Sequence, residues 1–487
     1  MIRDILQNQQ KRKMLHLFAT TLFLLSGCMT VGPDYIPVTP QSPDTWQTKL
    51  QGGVTEESVS ADLVNWWQLL QDPHLCALEE RAVAGNLDLQ EAQARIREAR
   101  ALRGISSAEY FPKLDSGATA AKSHSSANSS TGLTRELYSA QFDAGWEFDI
   151  FGGVRRSVEA AQATLEATEA ALHDLQVTLL AEVALNYVDL RTYQARLEVS
   201  RENIVALEEL YALNNSRFQT GIIDELAVQE SLQLLESHRA LVPTLESGLN
   251  AAQNRLALLL GSHPGSLHAE LAAKQPLPSL PISVAIGIPA DTLRRRPDIR
   301  RAERNLAAQT AQIGAATADL YPRFYLFGTI GLESLTAGDL FQGASKTWGF
   351  GPGVSWNLFD AGAIRRNIAV QNARQEQLLL RYEQTVLYAL EEVENALVAY
   401  AKEQLRQEHI AKATLAATRA EELARDQYQA GLINFNNVVD AQRSLLTLRD
   451  EQVRSDGVVI ANLVRIYKAL GGGWTPISTS AKRDKTL

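Results

Sequence analysis

The sequence predicts a mixed fold: a transmembrane β-barrel to which each chain lends four strands, continued by long antiparallel coiled-coil helices, the whole built from one unit present twice. Three observations predict it. Between Tyr138 and Ile150, apolar or small side chains hold the even positions and polar or small ones the odd positions, so the apolar groups share one face of a strand. Apolar residues recur every seven positions at Val183, Leu190, Leu197, Ile204, Tyr211 and Phe218, and again at Val228, Leu235, Val242, Leu249 and Leu256, the spacing of coiled-coil helices. Finally, an offset of 210 residues lays Phe111-Pro112-Lys113 on Tyr321-Pro322-Arg323, Arg155-Arg156 on Arg365-Arg366, Phe218-Gln219-Thr220-Gly221 on Tyr428-Gln429-Ala430-Gly431, and Leu260-Gly261 on Leu470-Gly471.

At the amino terminus, Lys11, Arg12 and Lys13 precede an apolar stretch from Leu15 to Leu25. That stretch is too short to span a bilayer as a helix and reads as a secretory signal, residues 1–27. It ends in Leu25-Ser26-Gly27-Cys28, similar to a bacterial lipobox, so Cys28 is expected to become the amino terminus and carry N-acyl and S-diacylglycerol chains. Such chains anchor a protein to a membrane without a transmembrane helix. By the same resemblance, Met29 in place of an aspartate favours passage to the outer membrane. Residues 28–71, with Pro33, Pro37, Pro40 and Pro43, read as an extended, lipidated tether. The two repeats are expected at 72–263 and 292–473, with a proline-marked connector at 264–291 and a tail at 474–487; such duplication sets the architecture.

Each repeat reads helix, two strands, long helix, tight turn, helix. A helix from Arg155 to Thr220 would be about 100 Å long at 1.5 Å per residue. Its return, Glu225 to Leu260, would be about 54 Å by the same rise, bent by Pro243, which lacks a backbone donor. The segment from Pro73 to Tyr110 has the length to cover the remainder. Gly221 lies near the tip of the hairpin. The strands are expected near Lys113–Lys122, Tyr138–Ile150, Arg323–Leu332 and Thr347–Leu358. In the last, Trp348, Phe350, Val354, Trp356 and Leu358 alternate with Gly349, Gly351, Gly353, Ser355 and Asn357.

Alternation alone also fits a half-buried sheet of a globular domain; the lipobox-like signal and the glycine-rich polar face turn the reading to a membrane barrel, apolar outward and polar inward. Four strands cannot close one, and an open edge in lipid leaves backbone groups unpaired. Chains must therefore pool strands: two would give eight with a filled interior, three would give twelve and room for a pore.

The chain resembles the TolC-like outer-membrane efflux family, in particular its NodT-type lipoprotein branch, over nearly all of the mature length. The motifs that carry this are Val31-Gly32-Pro33-Asp34-Tyr35, Trp66-Trp67 before Asp72-Pro73, and Arg294-Arg295-Arg296-Pro297-Asp298-Ile299, with Tyr321-Pro322-Arg323, Trp356-Asn357-Leu358-Phe359-Asp360 and Tyr467-Lys468-Ala469-Leu470-Gly471. The resemblance implies a homotrimer with a twelve-stranded barrel in the outer membrane and a helical tunnel through the periplasm. It also implies docking, through a periplasmic adaptor, onto an inner-membrane pump of the RND type. The expected work is a passive exit duct for small molecules, with the channel of a type I protein secretion system as the alternative; a non-channel scaffold or cell-wall enzyme would have no use for such strands. The family motif further implies that Gly221 and Gly431 mark adaptor-docking tips. It places Asp440 at a periplasmic aperture with Asn437 and Tyr428, Asn437 standing where relatives often carry a second acid.

Composition narrows the remainder. Of 487 residues, 45% are apolar and the net charge is −9, which argues against nucleic acid as the main partner. The first 27 residues carry a net +3, so the remainder stands at −12. Two cysteines make no disulfide framework. Cys76 reads as a small buried hydrophobe. The eight histidines show no metal-ligand spacing, Gly349, Gly351 and Gly353 lie in a strand rather than opening a helix, and no nucleophile motif occurs. No cofactor, metal site or enzymatic activity is expected. The six arginines between Arg294 and Arg304 read as a solvated, ion-paired helix start, with Pro297 in the first turn.

Overall fold

The computed structural model describes residues 30–39, 42–55, 57, 63–129, 132–281 and 284–474. The expected signal segment, Cys28 and the tail from 475 lie outside the described residues. A short strand β1 (Val54–Thr55) and a 3-10 turn over Trp66–Leu70 precede α1 (Pro73–Gly85), α2 (Leu87–Ala108), β2 (Lys113–His124), β3 (Thr134–Phe148), α3 (Gly153–Gln219), α4 (Glu225–Arg239) and α5 (Leu241–Leu259). The same order follows β4 (Val284–Ala285): α6 (Pro289–Arg295), α7 (Pro297–Ala318), β5 (Arg323–Ser334), β6 (Lys346–Ser355), α8 (Ala363–Gln429) and α9 (Phe435–Ala469). Adding 210 to the bounds of α2, β2 and α3 returns those of α7, β5 and α8.

The chain divides into two compact units. Of the described residues, the first comprises 30–39 and those within 95–169 and 301–383 and holds one antiparallel sheet in the order β2-β3-β5-β6. β6 stops at Ser355, so Trp356 and Leu358, expected in the strand, lie past its end. There the Trp356 indole donates to the Leu320 carbonyl at 3.1 Å, and the Asp360 carboxylate accepts from Gly362 and Ile364 N–H at 2.8 and 2.6 Å as α8 begins. The repeat partner of this indole bond ends β3, where Trp146 donates to the Tyr110 carbonyl at 2.9 Å.

The second unit comprises residues 40–94, 170–300 and 384–487. Its main core gathers Trp66, Leu70, Leu75, Leu78, Tyr187, Leu256, Tyr400, Leu463 and Tyr467. Trp66 stacks on Tyr467 with ring centroids 5.3 Å apart. Asp72 caps α1 by accepting from His74 and Leu75 N–H, the stabilising role of an acidic N-cap, and also accepts from the Tyr187 hydroxyl at 2.7 Å. Part of the segment expected as a tether is therefore folded: Trp46, Val54, Trp66 and Trp67 are buried in this core, and β1 pairs in parallel with β4 of the connector. The connector likewise buries Leu267 and Leu271.

Two helices break where the sequence suggested continuity or a bend. The stretch from Pro73 to Tyr110 divides at Asn86, whose side chain accepts from Leu89 N–H at 3.0 Å and donates to the Leu259 carbonyl at 2.9 Å. Asn86 thus caps α2 at the point where α5 ends, and Gly85 gives that approach room, since a Cβ there would stand 2.5 Å from the Leu260 carbonyl oxygen. The return helix divides at Ala240 into α4 and α5. Pro243 sits in the first turn of α5, where its missing N–H costs nothing. Its repeat partner α9 runs unbroken for 35 residues.

Candidate functional site

The sheet presents two different faces. Directly opposed residues of antiparallel strands share a face, and the register places Phe142, Ile330 and Trp348 in one row, and Phe148, Phe324 and Val354 in another. On that face Ile330 is 64% exposed, Trp348 71% and Phe350 78%, far more apolar surface than a chain in water leaves open. The other face carries Asp115 directly opposite Asp143 and, further along, Glu147 opposite Tyr325. Like charges set opposite each other need water around them. This face also holds Tyr325 and Phe327, which the alternation of β6 alone does not foretell. They lie across from Gly353 and Gly351; a Cβ on Gly353 would stand 2.3 Å from the Tyr325 ring, so that glycine is the space Tyr325 fills, while one on Gly351 would make ordinary contact with Phe327 at 3.5 Å. The outer edges of β2 and β6 carry no partner strand among the described residues.

In the second unit, α3 and α8 reverse at two equivalent turns. Gly221 has φ +72° and Gly431 φ +75°, the left-handed conformation that glycine adopts at least cost. Around each, the same pair of bonds closes the helix: Gly221 N–H to Phe218 O with Ile222 N–H to Arg217 O, and Gly431 N–H to Tyr428 O with Leu432 N–H to Gln427 O, all between 2.9 and 3.0 Å. This is the Schellman ending. Ile222 and Leu432, just past the glycines, are 70% and 74% exposed. Behind the turns a separate core joins both hairpins through Leu207, Leu234, Leu235, Phe435, Val438, Val439 and Leu446.

Tyr428 packs against that core with its ring 5.4 Å from Phe435. The Arg217 guanidinium lies 5.1 Å over the Tyr428 ring, a cation–π contact that the sequence reading missed; its one signal is a basic residue in the last turn of α3. Asn437 and Asp440 are both exposed on α9. Asp440 stands beyond the first turn of α9, so it is not the cap; Asn434 holds that position. Its nearest ion partner is Arg443, at 3.9 Å. The structure therefore brings Gly431, Tyr428 and the start of α9 together, and gives Asp440 an outward carboxylate.

The arginine run also resolves. Pro297 opens α7, but Arg296 is buried rather than solvated, held by Asp298 and Glu392 at 2.7 and 2.8 Å and donating to the Ala469 carbonyl at 2.5 Å. Removing one partner of such a buried cluster strands the others without compensation. Cys76 is half-buried against the main core, and burial, followed by the Asp72 and Glu80 carboxylates, pushes its thiol above the ordinary range, which keeps it unreactive.

Comparison with known proteins places these features among others. A family described as outer membrane efflux protein matches residues 78–262 and again 288–472. Nodulation protein T of Rhizobium leguminosarum bv. trifolii is 32% identical over 464 residues, covering 93% of this chain and 96% of that protein. The solvent efflux pump outer membrane protein SrpC of Pseudomonas putida is 32% identical over 474 residues, covering 96% of this chain and 99% of SrpC. The solved outer-membrane channel OprN superimposes with a TM-score of 0.86 at 36% identity, covering 92% of this chain and all of that one.

Proposed function

The chain belongs to the outer membrane efflux protein family and is an outer-membrane component of an efflux pump; from that premise we propose that it is the passive exit duct of a tripartite pump, working as a homotrimer. The observation that carries the reading is the sheet itself, with four antiparallel strands, one broad apolar face, one charged face and two open edges. Because the strands alternate direction, β6 of one chain runs antiparallel to β2 of the next. Three chains then close twelve strands into a barrel with no edge left in lipid, apolar outside and wet inside.

The remaining roles follow in the same spirit. The two glycine turns of each chain, with exposed Ile222 and Leu432 beside them, offer six apolar tips per trimer to a periplasmic adaptor, and an inner-membrane pump of the RND type supplies the energy. Three copies of Asp440 line the aperture on the threefold axis, with Asn437 and Tyr428 beside it. At about 6 Å apart, unit charges repel by roughly 0.7 kcal/mol per pair in water, so a closed ring gathers cations. Cys28 bears the acyl chains, and the repeats occupy 72–263 and 292–473. The cargo is small molecules; SrpC carries solvent efflux in its name. Protein secretion is not favoured, and conduction asks no catalysis of the chain.

The test is cellular. Deleting the chain from its own host should raise accumulation of a fluorescent pump substrate, and the full chain should restore its extrusion. Unchanged accumulation, together with loss of a secreted protein from the medium, would refute the efflux reading.

A further inference from the structure

The motif Val31-Gly32-Pro33-Asp34-Tyr35 follows an expected anchor and serves no part of a duct, yet the first unit builds a slot around it. Val31 N–H donates to the Phe151 carbonyl at 3.0 Å. Arg156, only 3% exposed, donates to the Val31 and Gly32 carbonyls at 3.2 and 3.3 Å and to the Asp34 carboxylate at 2.6 Å, while its other nitrogen reaches Glu159 at 2.8 Å. The floor of the slot is glycine. A Cβ on Gly32, whose φ is +84°, would stand 2.3 Å from the Gly314 Cα; one on Gly314 would stand 2.7 Å from the Arg156 Cγ; one on Gly152 would stand 2.6 Å from the Thr30 Cγ2. Beyond the slot, the Tyr35 hydroxyl donates to Glu303 at 3.2 Å, and Arg304 lies 5.5 Å over the Tyr35 ring.

The duplication supplies an internal comparison. At an offset of 210, Gly314 corresponds to Gly104, Gly152 to Gly362 and Arg156 to Arg366. Gly152 and Gly362 share a positive φ, +82° and +86°, and Arg156 and Arg366 make the same backbone bond to them. Yet Arg366 is exposed, and a Cβ on Gly104 or Gly362 would meet nothing within 4 Å. Only the copy that faces the amino-terminal segment is fitted to it. A free tether would leave the two copies alike.

We propose that the slot formed by Gly152, Arg156 and Gly314 is a docking site for the chain's own segment Thr30–Tyr35, and that seating this strap fixes the lipid-bearing terminus at the foot of the sheet. The second half rests on the reading of Cys28 as lipidated. Two residues of chain reach at most about 7 Å, so the acyl chains start close to Thr30. The slot lies where β3 passes into α3 and α7 into β5, beside the Phe151–Tyr321 stack at 4.6 Å and the two indole hooks of Trp146 and Trp356. Aromatic side chains of this kind collect at membrane interfaces, so strap and barrel foot engage the bilayer at one level. Arg156 is a positioning residue in this arrangement.

The experiment uses the full chain in its own membrane, with Arg156→Ala, Gly32→Val and the repeat control Arg366→Ala. Three readouts are taken: the rate of proteolysis within residues 30–39, the amount of heat-resistant oligomer in the outer membrane, and the mass of the amino-terminal peptide. The first two variants should speed strap cleavage about tenfold (about 1.4 kcal/mol) and lower the heat-resistant oligomer severalfold, while Arg366→Ala changes neither. Unchanged cleavage in both strap variants would overturn the docking site. Faster cleavage with undiminished oligomer would overturn its positioning role. An unmodified Cys28 in the wild-type peptide would instead refute lipidation, which the cleavage arm does not depend on.

Discussion

A lysine at Phe142 separates the two faces of the sheet more sharply than any other single change. Phe142 is 55% exposed and lies in the row with Ile330 and Trp348. It stands six residues from Phe148, where β3 ends; in the proposed barrel, a rise of about 3.3 Å and a tilt of about 45° would put it about 14 Å above the strand foot, close to the middle of a bilayer's apolar layer. A lysine there should cost about 2–4 kcal/mol per chain, and a trimer pays it at three equivalent places. Gln141, one residue away, points to the other face, where it donates to Asp143 at 2.9 Å. Gln141→Lys should shift stability by less than about 0.5 kcal/mol, as surface substitutions in water do. The assay is the urea midpoint of oligomer refolded into lipid vesicles, backed by the amount of heat-resistant oligomer in the outer membrane. Equal effects of Phe142→Lys and Gln141→Lys would refute the assignment of lipid and lumen faces.

Other outcomes follow from the same geometry. Gly221→Val with Gly431→Val forces a β-branched residue into φ near +70° at two tips whose surroundings are otherwise open; the local strain is about 1–3 kcal/mol each, so the oligomer should survive on a native gel while efflux is lost, and normal efflux would end the docking claim. Asp440→Asn should lower the cation selectivity of single channels in planar bilayers, and identical conductance and selectivity would leave Asp440 a mere surface acid. Glu79 is fully buried with neither carboxylate oxygen partnered among the described residues, and burial holds its carboxyl well above the ordinary value of 4.5. The folded state therefore keeps a proton that the unfolded chain releases, and stability falls as pH rises above about 4.5, by up to about 1.4 kcal/mol per pH unit, until the raised value is passed. Glu79→Met should remove that slope and raise the melting temperature at pH 7; an unchanged slope between pH 4 and 8 would place the titrating group elsewhere.

How much of this was legible in the sequence depended on which forces act locally. The period of two in β3 and of seven in α3 stands out because one face of each element meets a single environment along its length. The sheet's other surprise comes from across the strands: Tyr325 finds its place on the polar face because Gly353, 28 residues away, leaves room for its ring. Trp356 carries the right alternation but is recruited as a hook to Leu320, and no local pattern announces that. The break at Asn86 was hidden for the same reason, since its cap is completed by the Leu259 carbonyl. Arg296 looked like surface charge because the sequence shows Asp298 nearby but neither Glu392 nor the Ala469 carbonyl that closes over it. At the tips, the glycines and the hairpin reversal were readable, while the Arg217–Tyr428 contact joins residues that only the packed pair of hairpins brings together. The segment after Cys28 reads as an extended tether from its prolines; the signal of its seating is the pair of glycines, Gly152 and Gly314, whose partners lie far off in the chain.

The central claim is that three chains pool four strands each to make one wet, edgeless duct. The measurement that bears on it most directly is the native mass of the full-length protein extracted from the outer membrane in mild detergent, taken on the same preparation that conducts ions in a planar bilayer. A twelve-stranded barrel requires a complex of three chains. A conducting complex of one or two chains would contradict it, because four or eight strands cannot enclose the pore.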